Sequence, residues 1–434
     1  MSAEGCVNRQ QELRQLEDAL QLLRQDPRQD PAAQRLPVIT LCGLVGIGKT
    51  TLLRQVEQRA QALGLPVLWR NLPTPEPAGA GAGAAILAQL QPALETCLHE
   101  QGRAVLLLDD VDPANPSQLQ QLSALLQTPG GQAPLLVIVT AGRPLSWSWE
   151  RVLLPQPLQV LELGPLDPAS SALLLERHAP ALSPEARALA LTWADGYPLA
   201  LVVLADALRD GTLDPRQPAA RARLLEQLTG RVLRQGVLGA LPPEERPVAE
   251  TLLRLLAVPR RFTAMLLQDL IEQFAPALTQ EHPFAYFFLP QRLSARTSTL
   301  RWQFGHAGYV VVEPVRHLLQ VLWREQDPDR WQDIQRWLAA FWSQRARQGR
   351  ESERVGALLE WSLQRLQLAA PAARAQESQA LLAELAAWPW RDPGERQQAL
   401  ALLGQDQELL TTLGEQAAAW QAALRALALQ PPPS

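Results

Sequence analysis

The run Gly43-Leu-Val-Gly-Ile-Gly-Lys49-Thr50-Thr51 limits what this chain can fold into more than any other stretch, because it satisfies the pattern G-x-x-x-x-G-K-[ST] in full. Such a loop needs a buried strand to deliver it and a helix to carry it away, and both neighbours are legible. Leu36-Pro-Val-Ile-Thr-Leu-Cys42 reads as the strand, and Thr51-Leu-Leu-Arg-Gln-Val-Glu-Gln-Arg-Ala60 as a helix with Leu52, Leu53 and Val56 on one side. In that setting backbone N–H groups and the helix N-terminus cradle the phosphates of a nucleotide such as ATP or ADP. Lys49 then reaches the β- and γ-phosphates, and the Thr50 hydroxyl takes a Mg²⁺ position. Gly43, Gly46, Gly48, Lys49, Thr50 and Thr51 are the expected nucleotide ligands.

Lys49 is also the only lysine of the chain, since the other thirty-nine of its forty basic residues are arginines. A compact ammonium on a thin four-carbon stem fits between phosphates where a planar guanidinium does not. Its retention at this one position argues against an accidental glycine-rich turn.

At roughly 100–200 residues per domain, 434 residues suggest two to four domains, and 47% apolar content supports packed cores. A net charge of −4 gives no global bias toward nucleic acid or an anionic membrane. Cys6, Cys42 and Cys97 have neither metal-site spacing nor even number, so they read as ordinary thiols of a cytoplasmic protein. The start Met-Ser-Ala-Glu-Gly lacks the basic and apolar parts of a signal peptide. The longest apolar-rich run, residues 197–208, is too short to cross a bilayer and carries Asp206, so no membrane partner is expected.

Around the loop, Leu13, Leu16, Leu20 and Leu23 predict a helix over residues 10–25 that ends at two Asp-Pro pairs. Further strands are expected at 65–72, 104–110, 135–140 and 158–163, with a Pro/Gly/Ala-rich loop at 73–84 and a helix at 85–100. Short apolar runs alternating with helices imply a parallel sheet covered on both faces. The expected organisation is an α/β P-loop NTPase domain at 1–165, a helical domain at 166–238, a winged-helix-like domain at 239–325 and an all-α region at 326–434. In the third of these the pattern reads helix, helix, then Trp302-Gln-Phe and Tyr309-Val-Val-Val as extended pieces, then a helix at 314–323. In the last, Trp331, Ile334, Leu338 and Phe341 form an apolar stripe of core character.

The third strand ends Leu106-Leu-Leu-Asp109-Asp110. Asp109 is the expected Mg²⁺ ligand beside Thr50, and Asp110 the group that orients or polarises an attacking water. The plainer alternative is two acids opening the turn at Val111-Asp-Pro113. After the fourth strand, Thr140-Ala-Gly-Arg143-Pro144 sets a hydroxyl and an arginine on the γ-phosphate side. Arg143 reads either as a sensor of that phosphate or as a solvated loop arginine.

The order of motifs resembles a STAND-class signalling ATPase with an NB-ARC-like core related to the AAA+ group. Val7-Asn8-Arg9-Gln-Gln-Glu12-Leu13 resembles the opening segment F-V-G-R-E-x-E-L of that family. The phosphate loop, Leu-Leu-Asp109-Asp110, residues 140–143, Leu163-Gly-Pro-Leu166 and Gly196-Tyr-Pro198-Leu-Ala200 follow in family order. The resemblance implies that Val7 and Arg9 flank the base and that Pro198 contacts it from the helical domain. Two departures stand out. Asn8 replaces a glycine, and aligning Val315-Arg316 with the family's H-D-L-V-R segment puts Val312 where the nucleotide-sensing histidine belongs, with His306 and His317 nearby. The segment begins at residue 6, so output is expected from a partner, from self-assembly or from the C-terminal helices.

Three functions fit these residues. The first is a regulatory switch cycling between ADP-closed and ATP-open states, with slow hydrolysis at most, that controls assembly or binding of a protein partner. The second is a DNA-binding ATPase, although nine arginines against eight carboxylates over residues 241–325 are thin for phosphate neutralisation. The third, a small-molecule kinase, lacks an arginine in the segment 73–84 that a lid would need.

Overall fold

The computed structural model describes residues 9–25, 36–72, 82–113, 115–126, 134–145, 158–303, 308–349, 351–391 and 393–428. Cys6, Val7, Asn8, both Asp-Pro pairs, His306 and most of the Pro/Gly/Ala-rich stretch lie outside them.

β1 (Val38–Cys42), β2 (Val67–Asn71), β3 (Ala104–Val111), β4 (Leu135–Ala141) and β5 (Leu158–Glu162) form one parallel sheet in the order β2-β3-β4-β1-β5. Every residue of β1 is buried, as a strand covered on both faces requires. Leu106, Leu108, Val137 and Val139 form one core cluster with Leu87, Leu90 and Leu94 of α3 (Ala82–Gln101) and Leu122 of α4 (Pro116–Leu126). The alternate positions Val105, Leu107, Leu136 and Ile138 are equally buried, and β3 and β4 also pack on α2 (Lys49–Ala62). α1 (Gln10–Arg24) lies against α2 through its stripe of Leu13, Leu16, Leu20 and Leu23. The expected helix at 85–100 starts earlier, at Ala82, so three residues assigned to the loop are helical.

α5 (Pro168–His178), α6 (Pro184–Ala194) and α7 (Pro198–Leu208) each begin at a proline, whose missing N–H costs nothing in the first turn. The Asp167 and Ser183 side chains cap the first two by accepting from the backbone N–H of Ser170 and Ala186. The helical domain continues with α8 (Pro218–Gln227), which runs into a π-helical stretch, Leu228–Val237. That wider winding is rare, and Gly236 within it lies against Leu199.

α9 (Arg246–Leu256), α10 (Ala264–Phe274) and α11 (Ala285–Thr297) precede an antiparallel hairpin of β6 (Leu300–Gln303) and β7 (Gly308–Val311), then α12 (Val315–Gln326). The expectation of two helices before the hairpin is one short. α11 contains Pro290 and a dense aromatic run, which hides its period, yet Tyr286, Pro290, Leu293 and Thr297 make a buried stripe at helical spacing.

Residues 1–322 form one compact unit and 323–434 a second. The division falls three residues before the expected boundary, within α12. In the second unit, α13 (Pro328–Gln348) packs on α14 (Glu351–Leu368), followed by α15 (Arg374–Ala386), α16 (Pro393–Gln405), α17 (Gln407–Leu413) and α18 (Ala417–Ala428). Trp331, Ile334 and Leu338 are buried as their spacing predicts. α14 is the unit's central helix and carries a buried ion pair, Arg354 to Glu395 at 3.0 Å, each 3% exposed. Arg354 also donates to the carbonyls of Ala346 and Pro389.

Breaking one half of such a pair leaves an uncompensated buried charge, so Arg354→Ala is expected to destabilise this unit by about 3–5 kcal/mol. The double replacement Arg354→Met with Glu395→Leu is expected to cost clearly less. Guanidinium unfolding followed by tryptophan fluorescence checks this, and equal losses in both variants refute it.

Candidate nucleotide site

β1 delivers the chain to Gly43, and α2 starts at Lys49 with Gly48 as its N-cap at φ +104°. The loop between them is held in shape by a lysine folded back onto it. Lys49 Nζ donates to the carbonyls of Gly43 at 3.0 Å and Leu44 at 2.9 Å. An ammonium has three N–H donors, so one remains for a bound anion. Burial lowers the Lys49 pKa below the usual lysine range, and the negative charges of Asp110 and then Asp109 oppose that shift.

β4 lies between β1 and β3, and it supplies the residue that organises the acidic half of the site. Thr140, fully buried, donates from Oγ1 to Asp109 Oδ1 at 2.6 Å and accepts from the Asp110 backbone N–H at 2.9 Å. Both of its bonds go to β3, which holds this hydroxyl beside the aspartate pair. On the other side, Thr50 Oγ1 donates to the same Asp109 oxygen at 3.2 Å. Two oxygen donors this close, one on each half of the site, fit the hard-ligand preference of Mg²⁺.

β3 does not stop at Asp110 as expected but continues to Val111 through a register shift against β4. Asp110 sits at the shift in left-handed backbone, φ +60°, a conformation aspartate tolerates better than most residues. The bulge re-aims its side chain, so Asp109 is buried while Asp110 is exposed. Desolvation by the surrounding protein, and secondarily the charge of Asp109, raises the Asp110 pKa, and Lys49 opposes the shift. That is the direction a proton-accepting group in a water-orienting position needs. Arg143 is half-buried and makes no hydrogen bond or ion pair among the described residues.

Three more segments close on the loop. Arg9 is buried at the N-terminus of α1 and donates to Gly164 O at 2.6 Å and Ile47 O at 3.4 Å, joining the opening segment, the strand exit after β5 and the phosphate loop. A cleft of about 580 Å³ runs beside it along the first turns of α1. Tyr197, before the predicted base contact Pro198, donates its hydroxyl to Val45 O at 2.6 Å; burial pushes its pKa up, so it stays a donor. Leu199, after Pro198, packs so tightly on Gly46 that a Cβ there would lie 2.5 Å from the Leu199 Cβ, and φ +74° independently excludes a side chain. Pro198 itself is half-buried between these two contacts. Val7 lies outside the described residues.

The turn after α11 completes the enclosure. A Cβ on Gly142 would stand 2.6 Å from Ser298 Oγ, and Arg301 of β6 pairs with Glu162 at the end of β5. Val312 occupies the position where the resemblance places a sensing histidine, and His317 turns to the helices instead: its Nε2 lies 2.8 Å from Thr192 O and its Nδ1 3.7 Å from Asp195. Sequence reading missed Tyr197, Leu199 and Arg301 as parts of the enclosure. The first two stand within the quoted Gly196-Tyr-Pro198-Leu-Ala200 segment, whereas nothing in the sequence marks Arg301.

No protein-family model and no curated protein matches the chain. Among solved structures it is similar to a STAND protein with a tetratricopeptide repeat sensor from Pyrococcus horikoshii, at 15% identity and TM-score 0.32, over 99% of this chain. The chain spans 59% of that protein's length. It is also similar to the Aeropyrum pernix ORC1 protein in complex with DNA (18% identity, TM-score 0.38, 74% of this chain and 93% of that one). The Thermotoga maritima RuvB Holliday junction branch migration motor aligns at 17% identity and TM-score 0.39, over 72% and 95% of the two chains. Likenesses this distant carry no argument of their own. The strand order, the loop geometry and the paired Thr50 and Asp109 define this chain as an α/β P-loop NTPase fold with a helical C-terminal region.

Lys49→Arg keeps the charge but is expected to weaken nucleotide binding at least about tenfold, nearly as much as Lys49→Ala, because the guanidinium does not fit the cradle. Titration with a fluorescent ATP analogue measures this, and wild-type affinity in the arginine variant refutes it. For Asp110, the folded pKa lies above the unfolded one, so any stability from protonating it exists at low pH and is lost as pH rises through the folded value. At neutral pH the carboxylate is therefore a net cost. Asp110→Asn is expected to raise the melting temperature of the nucleotide-free protein at pH 7, with the gain shrinking below the ordinary carboxyl range; a gain independent of pH refutes the assignment.

Proposed function

We propose that the chain is an ATP-binding regulatory switch of the STAND/NB-ARC type, cycling between an ADP-closed and an ATP-open state to control self-assembly or the binding of a protein partner. The observation that carries this reading is the closure of separate segments on one phosphate loop. Val45, Gly46 and Ile47 are touched by Tyr197, Leu199 and Arg9. A ligand whose phosphates press on that loop changes the backbone that Tyr197 and Leu199 rest on, so ligand and helical segment are coupled through a shared surface.

In this reading the loop amides, Lys49 and Thr51 hold the phosphates, Arg9 and Pro198 border the base, and Thr50 with Asp109 hold Mg²⁺. The metal would neutralise phosphate charge when bound. Asp110 orients a water for slow hydrolysis and Arg143 senses the terminal phosphate. In this reading residues 1–165, 166–238, 239–325 and 326–434 are the four domains, and the winged-helix-like third touches the nucleotide core through Ser298 and Arg301.

The DNA-binding reading is disfavoured by the surface of that module. α11 stands in the position a reading helix would take, directly before the hairpin; of its two arginines, Arg292 and Arg296, the second is paired with Glu245, which is thin for phosphate neutralisation.

ATP with Mg²⁺ is expected to change the hydrodynamic radius relative to ADP, measured by sedimentation velocity, with Lys49→Ala unresponsive. Identical sedimentation in both nucleotides, by a protein shown to bind them, would sink the switch. Tyr197→Phe removes one hydrogen bond of about 0.5–1.5 kcal/mol from the closed state. It is expected to speed release of bound ADP several-fold, and an unchanged release rate would show that this contact does not hold the closed form.

A further inference from the structure

α6 ends where the contact with the phosphate loop begins. Asp195 leaves the helix in left-handed backbone at φ +41° and Gly196 follows at φ +77°; directly beyond them Tyr197 and Leu199 rest on Val45 and Gly46. The turn between is held by its own bonds and by a neighbouring segment. The Tyr197 N–H donates to Ala194 O and the Leu166 N–H to Gly196 O, each at 2.8 Å. A Cβ on Gly196 would lie 2.3 Å from Leu166 O, so a side chain has no room there. A turn so constrained is a stiff link, and whatever displaces Tyr197 displaces the end of α6 with it.

That end is where His317 arrives, from 125 positions further along the chain. Thr192 O belongs to the last turn of α6, where a helix supplies no partner for its own carbonyls. His317 Nε2 lies 2.8 Å from it, and because a carbonyl only accepts, Nε2 is the nitrogen that carries the proton. Nδ1 is 3.7 Å from Asp195 Oδ2, but Asp195 is 65% exposed and a contact so open to water contributes little. The hydrogen bond to the backbone is therefore the substance of the contact. His317 is in turn well placed by its own helix. Its backbone N–H donates to Glu313 Oε2 at 3.1 Å, and Glu313 Oε1 pairs with Arg316 at 3.2 Å. α12 is fixed to the rest of its module by buried Leu318, Leu319 and Leu322 and by Gln320, which donates to Ala257 O at 3.0 Å after α9.

We propose that His317 is a latch between α12 and the end of α6, and that this latch and the Tyr197 contact on the phosphate loop open and close as one unit through the turn at 195–196. The inference rests on the reading of the chain as a nucleotide switch. It names the residue through which residues 239–325 feel the phosphate loop although Val312 occupies the sensing position.

A double-mutant cycle tests the coupling, with release of a fluorescent ADP analogue from the full chain as the readout. His317→Ala is expected to speed release several-fold, as loss of one hydrogen bond does. His317→Gln, whose side-chain amide can donate to the same carbonyl, should restore most of the wild-type rate, and Asp195→Asn should stay within about twofold of it. The variant carrying both His317→Ala and Tyr197→Phe should release within about twofold of the faster single variant, because an opened latch leaves the second contact little to hold. Effects that multiply as independent factors overturn the proposal. So does no rescue by glutamine, or an effect of Asp195→Asn as large as that of His317→Ala.

Hydrogen exchange of the nucleotide-free protein separates the latch from the switch. His317→Ala should speed exchange of the amides at 193–199, and Tyr197→Phe, which carries the test by itself if the alanine variant melts early, should speed exchange at 313–318. Unchanged exchange in those segments refutes the latch whatever the nucleotides do. Faster exchange there, in a protein that sediments identically with ATP and ADP, would uphold the latch and remove the switch.

Discussion

The structure depends on keeping six residues of backbone, 43–48, open enough to surround phosphates. A loop of this kind has few internal bonds of its own, and its amides must point inward to a ligand rather than to each other. It is therefore held from outside. Lys49 ties its first carbonyls, Arg9 and Tyr197 take the carbonyls of Ile47 and Val45, and Leu199 fills the space that glycine leaves at position 46. Arg9 and Tyr197, far apart in sequence, meet here because each satisfies a carbonyl that this loop cannot satisfy alone, and Gly164 holds Arg9 in place by accepting from its guanidinium.

The same economy shapes the acidic half. A carboxylate buried as deeply as Asp109 needs partners, and it finds two hydroxyls, Thr140 on the neighbouring strand and Thr50 on the loop helix. Thr140 can serve both aspartates only because β4 is inserted between β1 and β3. Strand order, which contributes little to stability by itself, here decides which side chains share a hydrogen-bond network. Asp110 escapes burial by a single residue in left-handed backbone, and that local irregularity separates a buried acid from an exposed one on adjacent positions.

Much of this was legible. The phosphate loop, its strand and helix, the aspartate pair, the covered parallel sheet and the apolar stripe of α13 follow from composition and spacing over a dozen residues or fewer. What misled was local as well: the aromatic and proline content of α11 concealed a helix. Gly196-Tyr-Pro198-Leu-Ala200 was read for its proline, while the residues on either side make the contacts.

The amino-acid sequence by itself determined the chemistry available: one lysine, a threonine after it, and two acids at the end of a buried strand, because these requirements are satisfied by neighbours in the chain. Tertiary structure alone decided the order of the strands, the pairing of Thr140 with Asp109, the closure of Tyr197, Leu199 and Arg9 on the loop, and the meeting of His317 with Thr192. Each of these depends on which surfaces meet across tens or hundreds of residues, and a side chain's partners over that separation leave no periodicity in the sequence to read.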